Sequence, residues 1–141
     1  MGLNGLVPLL PPARSGYLLV VEDDEEIRDF LALLLETEGY AVRTARNGAE
    51  ALEVVRDDSP QLILLDMRMP VMDGWTFARA YRSGPGPHAP ILVMTAARDA
   101  AQRAHEIDAD AYIAKPFDLN QLLGLVCRLT SGSEPQMLCA A

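Results

Sequence analysis

Uninterrupted apolar runs at residues 17–21, 62–65 and 91–94 alternate with stretches whose apolar positions recur every three to four residues. Continuous short runs of Leu, Ile and Val predict parallel strands covered on both faces. Residues 40–44 are shorter and alternate more, which predicts an edge strand, and 110–114 predicts a last strand. Between 25 and 38, Ile27, Phe30, Leu31, Leu34 and Leu35 fall at i, i+3, i+4, i+7 and i+8. That spacing puts all five on one buried helical stripe. Asp24, Glu25 and Glu26 supply a cap and negative charge at its start, and Gly39 stops it. Asn47 caps a helix to about 57, with Ala51, Leu52 and Val55 inward, and Pro60 resets the chain. Further helices are predicted over 75–82, 99–107 (the weakest pattern) and 118–129, the last with Leu119, Leu122, Leu123 and Val126 apolar. Residues 83–87, Ser-Gly-Pro-Gly-Pro, form a loop.

Five strands alternating with five helices predict an α/β protein with right-handed crossovers and a parallel sheet. At this size the common solution is the flavodoxin-like (βα)5 three-layer sandwich with strand order 2-1-3-4-5. The domain is expected over residues 16–130, with a flexible N-terminal extension at 1–15 and a flexible tail at 131–141.

Polar residues follow these runs in a telling order. Glu22 and Asp23 follow the first, Asp66 the third, Thr95 the fourth and Lys115 the fifth. In a parallel sheet the carboxyl ends share one edge, where open α/β sheets place their sites. Carboxylates, a hydroxyl and an ammonium gathered there suit a hard cation such as Mg²⁺ and a phosphoryl group. Asp23 and Asp66 are candidate ligands, with Glu22 beside them and the Arg68 carbonyl as a further oxygen. An Asp beside a cation can attack phosphorus to form an acyl phosphate. Acids at a helix start are ordinarily caps, and a lone Thr or Lys at a strand end is ordinarily surface. The joint occurrence behind separate buried strands is what points to chemistry.

With 141 residues and half of them hydrophobic, the chain is one globular domain. Its formal net charge of −8 disfavours direct binding to nucleic acid. Cys127 and Cys139 make no disulfide framework or metal spacing and are expected as reduced thiols. Residues 1–16 lack a basic leader and are too short and proline-broken to span a bilayer, so no membrane partner and a cytoplasmic location are expected. His88 and His105 read as surface residues, and Met72 and Trp75 as packing.

The set resembles the receiver domain of two-component response regulators, over residues 16–130. The resemblance implies that Asp66 is the phosphoryl acceptor, that Glu22 and Asp23 hold Mg²⁺, and that the Arg68 carbonyl is its backbone ligand. It implies that Thr95 is the switch hydroxyl, Lys115 the phosphate-binding lysine and Tyr112 the switch aromatic. The Lys115–Pro116 peptide is commonly cis in that family. Two flanking positions vary: Arg68, placed to overhang the phosphoryl group, and Ala97, which offers nothing to orient water. Slow loss of the phosphoryl group is therefore expected, and Ala97→Glu should speed it.

The function expected is a stand-alone, phosphorylation-controlled switch, not an enzyme beyond its own Mg²⁺-dependent phosphorylation and dephosphorylation. Its implied partners are a sensor histidine kinase or phosphotransfer protein and a downstream protein, with a homodimer also open. About eleven residues follow the last predicted helix, too few for an output domain. The alternative is the receiver fragment of a larger DNA-binding regulator. A dehalogenase-type phosphatase wants an acid where Arg68 stands, and a scaffold-only role leaves the complete set of site residues unexplained.

Overall fold

The computed structural model describes residues 16–96 and 98–131. Ten elements follow one another: β1 (Leu18–Val21), α1 (Glu25–Thr37), β2 (Val42–Ala45), α2 (Gly48–Asp57), β3 (Leu62–Asp66), α3 (Gly74–Ser83), β4 (Ile91–Ala96), α4 (Ala100–Glu106), β5 (Ala111–Lys115) and α5 (Leu119–Ser131). The strands form one parallel sheet in the order β2-β1-β3-β4-β5. This is the flavodoxin-like topology expected.

The two-residue period of a strand explains why its apolar runs are unbroken. Leu19, Val21, Ile63, Leu65, Ile91 and Val93 face one side, against Ala51 of α2, Phe77, Ala78 and Tyr81 of α3, and Ala104 of α4. Their neighbours Leu18, Val20, Leu62, Leu64, Leu92 and Met94 face the other side, against Leu31 and Leu35 of α1 and Leu122 and Val126 of α5. Two cores on one sheet make the three layers.

Side-chain caps start four helices, the last with Asp118 accepting from the Gln121 amide at 3.0 Å. Asp24 accepts from the Ile27 amide at 3.1 Å, Asn47 from Glu50 at 2.9 Å and Asp73 from Thr76 at 2.9 Å. Gly39, at φ +96°, ends the first one as anticipated.

Some boundaries and exposures differ from the sequence reading. Strand β2 begins at Val42, not residue 40, because the Tyr40 amide instead donates to the Leu35 carbonyl at 3.2 Å and closes the end of α1. Phe30 is not part of the buried stripe: it is 47% exposed, while Leu31 and Leu35 are fully buried. The stripe is narrower than five residues because α1 meets the sheet along Leu31 and Leu35, and Phe30 lies beyond that contact. Cys127 is held in a disulfide rather than as a free thiol, which two cysteines without a framework do not signal. The expectations for the two termini, for Cys139 and for Ala97 lie outside the described residues. Among the described residues, no helix is long and apolar enough to cross a membrane.

Candidate functional site

The site lies along the carboxyl edge of the sheet. Register places Asp66, last in β3, beside Met94, and Lys115, last in β5, beside Ala96. Thr95 precedes the end of β4 and is buried. Glu22 directly follows β1, where its amide still pairs with the Ala45 carbonyl at 3.0 Å. The strand run thus delivers every one of these groups to the same edge.

Two of the carboxylates are buried: Glu22 is 1% and Asp66 6% exposed, while Asp23 is open to solvent. Glu22, Asp23 and Asp66 each bring an oxygen within 4.8 Å of the others'. Lys115 Nζ donates to Glu22 Oε1 at 2.7 Å and stands 3.6 Å from Asp66 Oδ1. One ammonium therefore serves two buried carboxylates within a cluster of three acids. Burial, then the charge of Glu22, pushes the Asp66 carboxyl from 3.8 up to about 7, with Lys115 opposing and Asp23 adding to the rise. Burial alone pulls the Lys115 ammonium down, but its hydrogen bond to Glu22 and the charges of Asp66 and Glu22 outweigh this and leave it raised. Hard oxygen donors with unbalanced negative charge are the donor set a divalent ion such as Mg²⁺ takes. The chain's own residues fit that ion.

Backbone contacts shape the loops that carry the acids. Arg28, one turn into α1, donates to the carbonyls of Glu22 (3.0 Å) and Asp23 (3.5 Å). Glu22 Oε2 also accepts from the Asp24 amide at 3.1 Å. After Asp66 the chain turns sharply, and the Gly74 amide donates to the Met67 carbonyl at 2.9 Å. A Cβ at Gly74 would stand 2.8 Å from Met67 Cα and 2.9 Å from the Asp66 carbonyl. Only glycine lets α3 start this close to the acid. In the same loop Val71 adopts φ +70° while 83% exposed.

Glu22, Asp23, Asp66, Thr95 and Lys115 thus all stand on the expected edge. Lys115–Pro116 is cis. Tyr112, on β5, is 49% exposed, so its ring faces outward in this state. The Arg68 side chain does not stand alone over the acids: its guanidinium carbon lies 6.0 Å from the centre of the Trp75 ring. Trp75 is more than packing, because its Nε1 donates to Glu106 Oε1 at 2.7 Å and Arg103 stacks on the same ring at 5.2 Å. Sequence reasoning missed Arg28, Trp75, Arg103 and Glu106. The only available signals were the helical spacings Asp24 to Arg28 and Arg103 to Glu106, which look like ordinary surface pairs.

Beside Lys115 runs an apolar groove of about 570 Å³, lined by Ile27, Phe30, Pro116, Phe117 and Leu119.

Known proteins share this fold. Residues 18–126 match the response regulator receiver domain family. The response regulator MprA of Mycobacterium tuberculosis is 39% identical over 124 residues, which are 86% of this chain and 54% of that protein. The chain spans about half the length of the curated relatives it matches. The signal receiver domain of a signal transduction histidine kinase from Syntrophus aciditrophicus superimposes with TM-score 0.76 at 35% identity, covering 85% of this chain and 93% of that one. The non-phosphorylated HemR receiver domain from Leptospira biflexa gives TM-score 0.74 at 32% identity, covering 86% and 98%. With its strand order, its acidic edge and its sequence in agreement, the chain belongs to the response regulator receiver domain family of two-component systems.

Proposed function

We propose that this chain is a phosphorylation-controlled switch in which Asp66 accepts a phosphoryl group from a histidine kinase or phosphotransfer protein. The observation that carries this reading is the placement of Asp66 Oδ1 3.6 Å from Lys115 and inside the three-acid cluster. An Asp66 oxygen attacks phosphorus, the P–N bond to the donor imidazole breaks, and the imidazole leaves with the bonding pair and takes up a proton. Glu22, Asp23, Asp66 and the Arg68 carbonyl would hold Mg²⁺, which would supply charge neutralisation and alignment of the transferring group. Lys115 contacts a phosphoryl oxygen as a point charge, and Thr95 donates its hydroxyl to another. Movement of Thr95 then makes room for the Tyr112 ring to turn inward and alter the surface of α4, β5 and α5. The groove beside Lys115 suits an apolar helix of the donor, since it lies against the acceptor pocket. The folded unit extends over 16–130, acts in the cytoplasm, and passes the signal by protein contact, as a monomer or a homodimer.

A second reading is favoured by the length comparison: the chain corresponds to the receiver part of a longer, DNA-binding regulator. Intact mass after incubation with a small acyl phosphate tests the main reading. One phosphoryl adduct that needs both Mg²⁺ and Asp66, and is absent from Asp66→Asn, is expected. An adduct that survives Asp66→Asn overturns the assignment.

A further inference from the structure

Two guanidinium groups share one indole on the site's outer rim. Arg103 of α4 lies 5.2 Å and Arg68 6.0 Å from the centre of the Trp75 ring. They are not held alike. Arg103 is tied to Glu106 through Nη1 at 3.1 Å and lies 3.8 Å from Asp99. The indole itself is pinned, because Nε1 donates to Glu106, which also accepts from Gln102 at 3.2 Å. Arg68 has no carboxylate within ion-pair distance among the described residues, and the Trp75 ring is the partner it has. It is also only two residues from Asp66, at most about 7 Å of backbone. A free guanidinium that near a phosphorylated carboxylate is a natural bidentate partner for its oxygens.

We propose that Trp75 is a positioning residue: its ring parks Arg68 beside the acceptor, and a phosphoryl group on Asp66 draws the guanidinium off the ring. This rests on the phosphoacceptor reading of Asp66. Parking has two consequences. The ring competes with the phosphoryl group for Arg68, so it limits how well Arg68 screens the acyl phosphate. Its departure also strips one cation from an indole that bridges α3 to α4, so the Trp75–Glu106 contact registers the state of Asp66. In the hydrolysis that ends the signal, water oxygen bonds to phosphorus and the P–O bond to Asp66 breaks. The Asp66 carboxylate is regenerated, and inorganic phosphate and a proton leave. Arg68 laid over the phosphoryl oxygens obstructs that water's approach.

Four proteins are compared after labelling with a small acyl phosphate and Mg²⁺: wild type, Trp75→Leu, Arg68→Ala and the double variant. Intact mass reports the adduct and its half-life, and melting curves check that each is folded. Trp75→Leu is expected to lengthen the half-life two- to fivefold, the equivalent of the 0.5–1 kcal/mol of an exposed cation–π contact. Arg68→Ala shortens it, and Trp75→Leu has no further effect in that background. Trp75 is the sole tryptophan, so its emission reads the ring directly. Emission should change on phosphorylation of wild type and stay constant in Arg68→Ala, a variant of an exposed side chain that leaves the core untouched. An equal effect of Trp75→Leu with and without Arg68, or emission indifferent to the adduct, overturns the proposal. Absence of any adduct on wild type overturns the phosphoacceptor reading instead, and this proposal with it.

Discussion

Replacing Asp66 by Asn should make the metal-free protein more stable, and only above mildly acidic pH. Asp66 is buried beside Glu22, and its carboxyl is pushed from 3.8 to about 7. The folded state therefore holds this proton more tightly than the unfolded chain does. Below about pH 4 both states are protonated and no penalty exists. Between pH 4 and 7 the folded state binds more protons, so stability falls as pH rises, and above 7 the loss is complete. The full displacement corresponds to about 4 kcal/mol. Movement of Lys115 toward the charged acid, from 3.6 Å, and entry of water lower this, and we expect about 2 kcal/mol. Urea titrations followed by circular dichroism, in EDTA from pH 4.5 to 8.5, measure it. The variant should match wild type near pH 4.5 and exceed it by that amount at pH 8. Mg²⁺ should then reverse the order, since binding adds RT ln(1 + [L]/Kd), about 2.7 kcal/mol at a hundredfold excess over Kd, to wild type alone. A variant no more stable than wild type at pH 8 in EDTA, or one whose advantage is the same at both pH values, refutes the reasoning.

Other substitutions probe the neighbouring geometry. Val71→Asn should stabilise by about 1 kcal/mol in denaturant melts, because φ +70° penalises a β-branched residue and its 83% exposed side chain loses little packing. Gly74→Ala should destabilise by about 1–3 kcal/mol, as the new Cβ meets not only the movable Met67 Sδ but also the backbone at Met67 Cα and the Asp66 carbonyl, and acyl phosphate labelling should slow with it. Lys115→Ala removes the partner of buried Glu22. In EDTA at pH 8 this should cost up to about 3 kcal/mol, and Mg²⁺ should restore part of it, which thermal melts at fixed Mg²⁺ concentrations measure.

The fold was legible because apolar period and polar strand ends say the same thing. The runs Leu18–Val21 and Leu62–Leu65 read as doubly covered strands, and each turned out to feed both cores. Glu22, Asp66, Thr95 and Lys115 were found by the same rule, since a polar residue directly after a buried strand lands on the sheet edge. Strand limits were less legible: Tyr40 is apolar and precedes a strand, but its amide completes a helix end. Phe30 fits the helical stripe by spacing, yet spacing does not say how wide the contact with the sheet is. Trp75 was unreadable for a different reason. Its partners lie on two other segments, Arg68 in the loop after β3 and Arg103 and Glu106 on α4, so nothing local distinguishes a bridging indole from a packing one.

The distribution of cations decides how the edge must respond to phosphorylation. In the resting state the cluster of three acids has one lysine beside it, and Lys115 is committed to Glu22 at 2.7 Å rather than to Asp66 at 3.6 Å. Replacing a carboxylate charge by a phosphoryl group adds negative charge, to about −1.5 to −2 in all at neutral pH. Lys115 meets that demand only by sharing itself with Glu22. Arg28 is occupied with the carbonyls of Glu22 and Asp23, and Arg103 with Glu106 and Asp99. Arg68 is the nearby cation whose present partner is a ring face, the contact most cheaply exchanged for a phosphate oxygen. Phosphorylation should therefore repartition Lys115 and Arg68 before it disturbs Arg28 or Arg103. The first of these adjustments reaches the β5 end of the sheet, and the second reaches α3 and α4 through Trp75. Loss of the wild-type emission change in Arg68→Ala, with phosphoryl incorporation intact, separates the second route from the first.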